Sequence, residues 1–258
     1  MSGYAHRDCE KVLSCFLPIM GYADNSAVRA IAQKRIDVLY PFTQQRRYDI
    51  HIDGSALKGV KKEWQPYIID PDLYADGHIA LPDMHDFLLF AGIYDALDDE
   101  NKAKVETIVS WIFGSGYQDI SRRYGYFYAP GGAYSTKAII FKLNLVDFCN
   151  PTLDNGDYVP LLFNCFVLSH FKTARESDWF KAASGYWERF RSENGRYVFP
   201  AHLITEKPDS FVIFGGHMNM GENKRGRDYK EIISTYWMSR IQGNAPKFNA
   251  FLKDLTAF

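Results

Sequence analysis

Several things are scarce in this sequence, and each shortage excludes a class. Cysteine is one: Cys9, Cys15, Cys149 and Cys165 are the four in 258 residues, and no two form a CxxC pair. Disulfide scaffolds and zinc modules need denser or closer thiols, so the expectation is reduced thiols in a cytoplasmic compartment. Net charge is nearly absent, with 30 Lys+Arg against 31 Asp+Glu. That balance gives no basic footprint for nucleic acid. No apolar run reaches the roughly 18 residues of a membrane span. Arg7, Asp8 and Glu10 precede any apolar stretch, unlike a secretory leader.

Aromatics are abundant instead: 19 Phe, 17 Tyr and 5 Trp make 16% of the chain. Such side chains bring large buried areas, π-faces and phenolic hydroxyls. They fit a thick core or a pocket for an apolar or sugar ligand. The 47% hydrophobic content and the length suit a single domain over residues 1–258.

Spacing predicts helices in pairs. Residues 26–40 align Val28, Ile31, Ala32, Ile36 and Leu39, with Asn25 or Ser26 as the N-cap. Residues 84–97 are apolar almost all round, whereas 100–113 carry one stripe of Val105, Ile108, Val109 and Ile112. The pairing recurs as all-apolar 157–171 followed by amphipathic 177–192, then as 227–242 followed by 246–256. An all-apolar helix must be buried and a single-striped one lies outside, so the pattern reads as two helical layers.

Between the pairs stands a repeated linker. Gly77-His-Ile-Ala-Leu-Pro82, Gly125-Tyr-Phe-Tyr-Ala-Pro130 and Gly195-Arg-Tyr-Val-Phe-Pro200 are all G-x4-P, with Trp64, Trp111 and Trp187 upstream. Glycine permits a tight turn, an extended stretch crosses the rim, and proline presets φ for the next element. Helix pair, Trp, then Gly-x-aromatic resembles the repeat of the α/α toroids, the terpenoid-cyclase and protein-prenyltransferase superfamily. The segment 111–127, with Gln118 and Gly125-x-Phe127, is its best copy, and Glu231-x-x-Ser-Thr-x-Trp237 resembles a closing inner helix. The resemblance spans about residues 64–242. It implies an all-α fold, a two-layer toroid-like helical barrel, complete or partial, around a central cavity.

The residues themselves hold little chemistry. Asp95-Ala-Leu-Asp98-Asp99 is not DxDD, and Asp70-Pro-Asp72 through Asp76 is not DDxxD. Cys149 and Cys165 have no partner at ligand spacing, so no metal or cofactor is expected. The candidate catalytic group is Asp76, Asp83, His85 and Asp86, at the start of an inner helix whose end would open to the cavity. The competing reading is local: Asp83 as N-cap and Asp86 in the dipole-favoured first turn. Candidate ligand-binding residues are Tyr117, Arg122, Arg123, Tyr126 and Tyr128 around the second linker, and His217 after Gly215-Gly216. Gly131-Gly132 before Tyr134 reads as a helix start.

Three functional readings follow. The first is an enzyme or binder of an isoprenoid-like or other apolar small molecule held in an aromatic-lined central cavity. The second is a carbohydrate-active helical barrel that stacks sugars on Trp and Tyr and uses paired carboxylates. The third is a non-catalytic module whose concave face holds a protein partner.

Overall fold

In the computed structural model, residues 9–74, 78–120, 124–129, 131–136, 140, 142–148, 161–204, 218 and 226–243 are described. The chain divides into two units, one running to Asn144 and one starting at Leu145.

In the N-terminal unit, α1 (Cys9–Ser14) and a π turn (Pro18–Tyr22) precede the long α2 (Ser26–Gln44). Asn25 caps α2 by accepting from the amides of Ala27 and Val28. The buried side of α2 holds Val28, Ala32, Ile36, Leu39 and Phe42, with Arg35 among them. Next come β1 (His51–Ile52), a 3-10 turn (Lys62–Tyr67), β2 (Ile68–Ile69) and a 3-10 turn at Pro71–Leu73. Helix α3 (Met84–Ile93) is buried on every side: only Gly92 of its ten residues escapes full burial. A Cβ on Gly92 would stand 2.5 Å from the Pro18 side chain, so the π turn packs directly on a helix with no side chain there. Amphipathic α4 (Asp99–Trp111) follows, capped by Asp98, with Val105, Ile108, Val109 and Trp111 turned inward. The expected sequence of a buried helix and then a surface helix is therefore present here.

The all-α toroid-like barrel is not. After α5 (Ser115–Asp119), β3 (Tyr126–Ala129) and β4 (Gly132–Ser135) form a hairpin, and the sheet order is β1-β2-β3-β4. β1 and β2 are antiparallel with His51 opposite Ile69. β2 and β3 are parallel at Ile68 and Tyr126. β3 and β4 are antiparallel from Tyr126–Ser135 to Ala129–Gly132. The second linker is thus a strand in a mixed sheet rather than a rim crossing between helices. Gly131-Gly132, read as a helix start, instead leads the chain from the hairpin turn into β4, at φ of 102° and 143°. β2 is too short to pair the length of β3, and a side chain takes over. The Tyr74 hydroxyl donates to the Tyr128 carbonyl and accepts from the Tyr128 amide, both at 3.1 Å. Strands of two and four residues carry too few alternations to register as a period-2 pattern.

The C-terminal unit contains α6 (Leu161–Leu168), α7 (Lys172–Glu176), α8 (Asp178–Glu188), a 3-10 turn (Ala201–Leu203) and α9 (Tyr229–Gly243). All eight residues of α6 are buried, including Asn164 and Cys165. Amphipathic α8 turns Phe180, Ala183, Tyr186 and Trp187 inward. The Trp187 indole N–H meets Cys165 Sγ at 3.4 Å, and its ring lies 4.9 Å from Phe199. The third linker passes along α9: the amides of Tyr197 and Phe199 donate to Thr235 Oγ1 (3.0 Å) and Ser234 Oγ (2.8 Å). The segment 246–256, expected as a helix, lies outside the described residues. Among those described, no helix is long and apolar enough to cross a membrane.

Candidate functional site

Asp83 and Asp86 open α3 as a reciprocal capping box. Asp83 Oδ1 accepts from the amides of His85 (2.9 Å) and Asp86 (3.2 Å), while Asp86 Oδ2 accepts from the Asp83 amide at 3.1 Å. Such boxes usually stand at the surface, where water screens the carboxylates. Here α3 is interior, and both side chains are 0% exposed. Two buried anions demand two cations, because an isolated ionised carboxylate in an apolar interior is prohibitively costly.

Two helices supply them. From α1, Lys11 Nζ reaches Asp83 Oδ2 at 3.0 Å and Asp86 Oδ2 at 3.2 Å. From α2, Arg35 grips Asp86 in a fork, Nε to Oδ1 at 2.7 Å and Nη2 to Oδ2 at 3.1 Å. The same Nη2 also donates to the Ile79 carbonyl at 2.9 Å. A planar guanidinium matches a carboxylate in this bidentate way, which an ammonium cannot. His85 completes the group, with Nδ1 at 3.5 Å from Asp83 Oδ1. One buried lock thus joins α1, α2 and α3.

Burial alone would raise the Asp83 carboxyl. Lys11, then His85 and Arg35, outweigh it and hold the group well below the usual carboxylate range. Asp83 is therefore an anion at neutral pH, an acceptor rather than a proton donor. The neighbouring Cys15 thiol is pushed up to about 12, by burial first and then by the charges of Asp83 and Asp86. Tyr124 is raised well above its ordinary value, again chiefly by burial, and its hydroxyl donates to the Pro82 carbonyl at 2.5 Å. These neighbours are neutral and inert at neutral pH, so the chemistry of the group is ion pairing.

A pH dependence follows from the sign of the Asp83 shift. A carboxyl whose folded value is depressed contributes stability that is present above its unfolded value of about 3.9. That contribution is lost as the pH falls below the unfolded value towards the lower, folded one. Urea midpoints measured from pH 7 down to 3 should fall steeply below about pH 4, and Asp83→Asn should flatten that limb. An equal acid slope in the two proteins would refute the assignment.

The remaining candidates divide. Tyr117 is 0% exposed, stacked edge-on to Trp111 at 5.1 Å, and its hydroxyl donates to the Leu143 carbonyl at 2.7 Å. Lys142 Nζ sits 4.4 Å above the Tyr117 ring and donates to the carbonyls of Tyr117 (2.9 Å) and Ile120 (2.7 Å). It closes the C-terminal end of α5, and burial lowers its pKa to about 8. Asp76, Arg122, Arg123 and His217 lie outside the described residues.

Tyr126 and Tyr128 are two apart on β3, so they share one face of the sheet. Both are partly exposed, whereas Phe127 between them is buried against Tyr74 at 5.0 Å. Trp64, from the turn before β2, stacks on Tyr126 with centroids 4.5 Å apart and planes 15° apart. Lys61 Nζ lies 4.6 Å from the Trp64 centroid. A ring already 4.5 Å away leaves no room for an ammonium between, so Lys61 covers the opposite, outer face. The Tyr128 hydroxyl contacts the Lys58 carbonyl at 3.4 Å. Together these form an aromatic shelf with a cation on top.

Reading the sequence alone missed Lys11, Arg35 and Trp64. Arg35 carried a signal: it falls three residues after Ala32 and four before Leu39, in the apolar stripe, where a cation needs a buried anion. Lys11 carried none, and Trp64 stood out only as the Trp upstream of the first linker, because only the fold brings them to their partners. Among the described residues, no group of three or more His, Cys, Asp or Glu is placed to hold a metal ion. The chain matches no protein-family model, no curated protein and no solved structure.

Proposed function

We propose that the chain binds a saccharide on the aromatic shelf of its N-terminal unit. The observation that carries this reading is the partly exposed Trp64–Tyr126 stack, extended by Tyr128 on the same face. A sugar ring presents an apolar C–H face that packs on an indole, and its hydroxyls pair with phenols and ammonium groups at the rim. Lys61 occupies the place over Trp64 that such a ring would take. Its exposed side chain swings aside and then pairs with the ligand's oxygens.

An isoprenoid chain asks for something else, a dry concave cavity that buries most of its surface. Large aromatics are engaged in core packing instead, Trp111 on Tyr117 in one unit and Trp187 on Phe199 in the other. Hydrolysis of a glycoside asks for two carboxyls flanking the sugar. Asp83 and Asp86 are engaged by Lys11 and Arg35 beneath the surface, so the reading is binding without cleavage.

The test is a glycan array followed by calorimetric titration of the best hit against the native chain and Trp64→Ala. Truncating the stacking ring should weaken binding about tenfold or more. The unfolding midpoint should change little beyond the loss of one partly exposed ring. An array without a hit, or equal affinity in the variant, would sink the proposal.

A further inference from the structure

Building on the saccharide reading of the shelf, we propose that the ligand is an acidic saccharide, whose carboxylate or sulfate groups pair with Lys58, Lys61 and Lys62. These three lysines fall within five residues of one loop, and Glu63 is the lone acid between Lys58 and Trp64. All three are exposed. The fold fixes where that loop runs. At its base the Gly54 amide donates to the Gln65 carbonyl at 3.0 Å. Midway along, a Cβ on Gly59 would stand 3.4 Å from the Gly131 carbonyl oxygen, so the backbone lies against the β3–β4 hairpin. The Lys58 carbonyl meets the Tyr128 hydroxyl at 3.4 Å, at one end of the shelf. Lys61 stands three residues before Trp64, at the start of a 3-10 turn in which positions three apart eclipse, and its Nζ is held over the indole.

Charge decides the class of sugar. Among the described residues, none of the three ammonium groups has a carboxylate within ion-pair distance, and Lys61 rests on a π-face instead. Elsewhere on the surface a lysine such as Lys181 pairs with its own neighbour, Asp178, at 2.9 Å. A neutral sugar laid on Trp64 displaces the Lys61 ammonium from the ring and offers it only hydroxyls in return. A carboxylate or sulfate on that sugar gives back a full ion pair, and Lys58 and Lys62 on the same loop extend the positive field beside the shelf. The chain as a whole carries a net charge of -1, so this excess is local. A nucleic-acid strand is also anionic and stacks on aromatics, but it asks for a basic groove that tracks its phosphates over several nucleotides. Here the cations stand on five residues of one loop.

The test compares matched hexasaccharides on the native chain by calorimetric titration: hexagalacturonate against its methyl ester, and sulfated maltohexaose against maltohexaose. In at least one pair the acidic member should bind about tenfold tighter, since each exposed ion pair is worth about a two- to fivefold gain and three lysines are at hand. The pair that responds tells carboxylate from sulfate. The preference should shrink several-fold when sodium chloride rises from about 50 to about 300 mM. Replacing the three lysines together (Lys58→Gln, Lys61→Gln, Lys62→Gln) should abolish it, whereas the same change at Lys34, exposed on α2, should leave it intact. No binding or equal binding within both pairs, or a preference that survives the triple variant, would overturn the acidic-sugar assignment. So would acidic binding that is indifferent to Trp64→Ala, because charge would then act without the shelf. Tighter binding of an oligothymidine strand than of either acidic hexasaccharide would overturn it too. A neutral glycan whose binding is lost in Trp64→Ala, with no acidic preference, would leave the shelf as a saccharide site and remove only its charge selectivity.

Discussion

Asp86→Ala is expected to cost the N-terminal unit about 3–5 kcal/mol, the usual result of removing one partner from a buried ion pair. The reason is what stays behind. Arg35 would keep its place on α2, 2% exposed, with the fork that held it gone. Lys11 would retain Asp83 alone at 3.0 Å, and the Asp83 amide would lose its acceptor in the capping box. Urea unfolding of the native chain and the variant gives the difference directly. The informative control is Arg35→Met combined with Asp86→Leu, which removes both charges and fills the space. If the lock is an ion-pair system rather than a packing element, the double variant should be more stable than Asp86→Ala. A loss below about 1 kcal/mol in Asp86→Ala would mean that water reaches the lock after all.

Gly125→Ala should be destabilising to a similar extent, about 3 kcal/mol or more from backbone strain and overpacking together. Gly125 has a φ of 154°, and a Cβ built on it would lie 2.2 Å from the Tyr67 carbonyl oxygen, a backbone atom at the start of β2. Neither strand can retreat cheaply, because Ile68 pairs with Tyr126 immediately beyond the contact. The preceding residue is constrained as well: Tyr124 sits at a φ of 57°, with its carbonyl 2.6 Å from His51 Nε2 and its hydroxyl on Pro82. One turn therefore ties the sheet to the start of α3. Thermal unfolding followed by circular dichroism reads the loss. As comparison, Gly131→Ala has the open space that Gly125 lacks, since nothing stands within 4 Å of its added Cβ. Gly131→Ala should thus retain only the cost of its φ of 102° and be the milder variant. Equal effects would show that close approach to Tyr67 is not what selects glycine at 125.

Much of the helical layout was legible in the sequence. The all-apolar run after Asp83 could only be interior, and the stripe of Val105, Ile108 and Val109 could only face inward on one side. Asn25 announced its helix start, because a short polar side chain satisfies amides that a first turn leaves orphaned. Two of the G-x4-P glycines, Gly125 and Gly195, have positive φ, as a tight turn asks. What those turns connect was hidden. Segment 126–129 reads as a linker on its own and becomes a strand only because Ile68 lies on one side and Gly132–Ser135 on the other. No local pattern encodes a partner nearly sixty residues away.

The candidate site shows the same division. Sequence alone offered capping by Asp83 and Asp86 beside the catalytic reading, since capping depends on residues within one turn. It also determined that α3 would be buried, since an apolar surface all round leaves no side for water. Only the tertiary structure decided what these two facts mean together. A cap inside a core must find its countercharges elsewhere in the chain, and Lys11 and Arg35 come to it from 75 and 51 residues away. Ion pairing acts through space and hydrophobic periodicity acts along the chain, so the first had to wait for the fold.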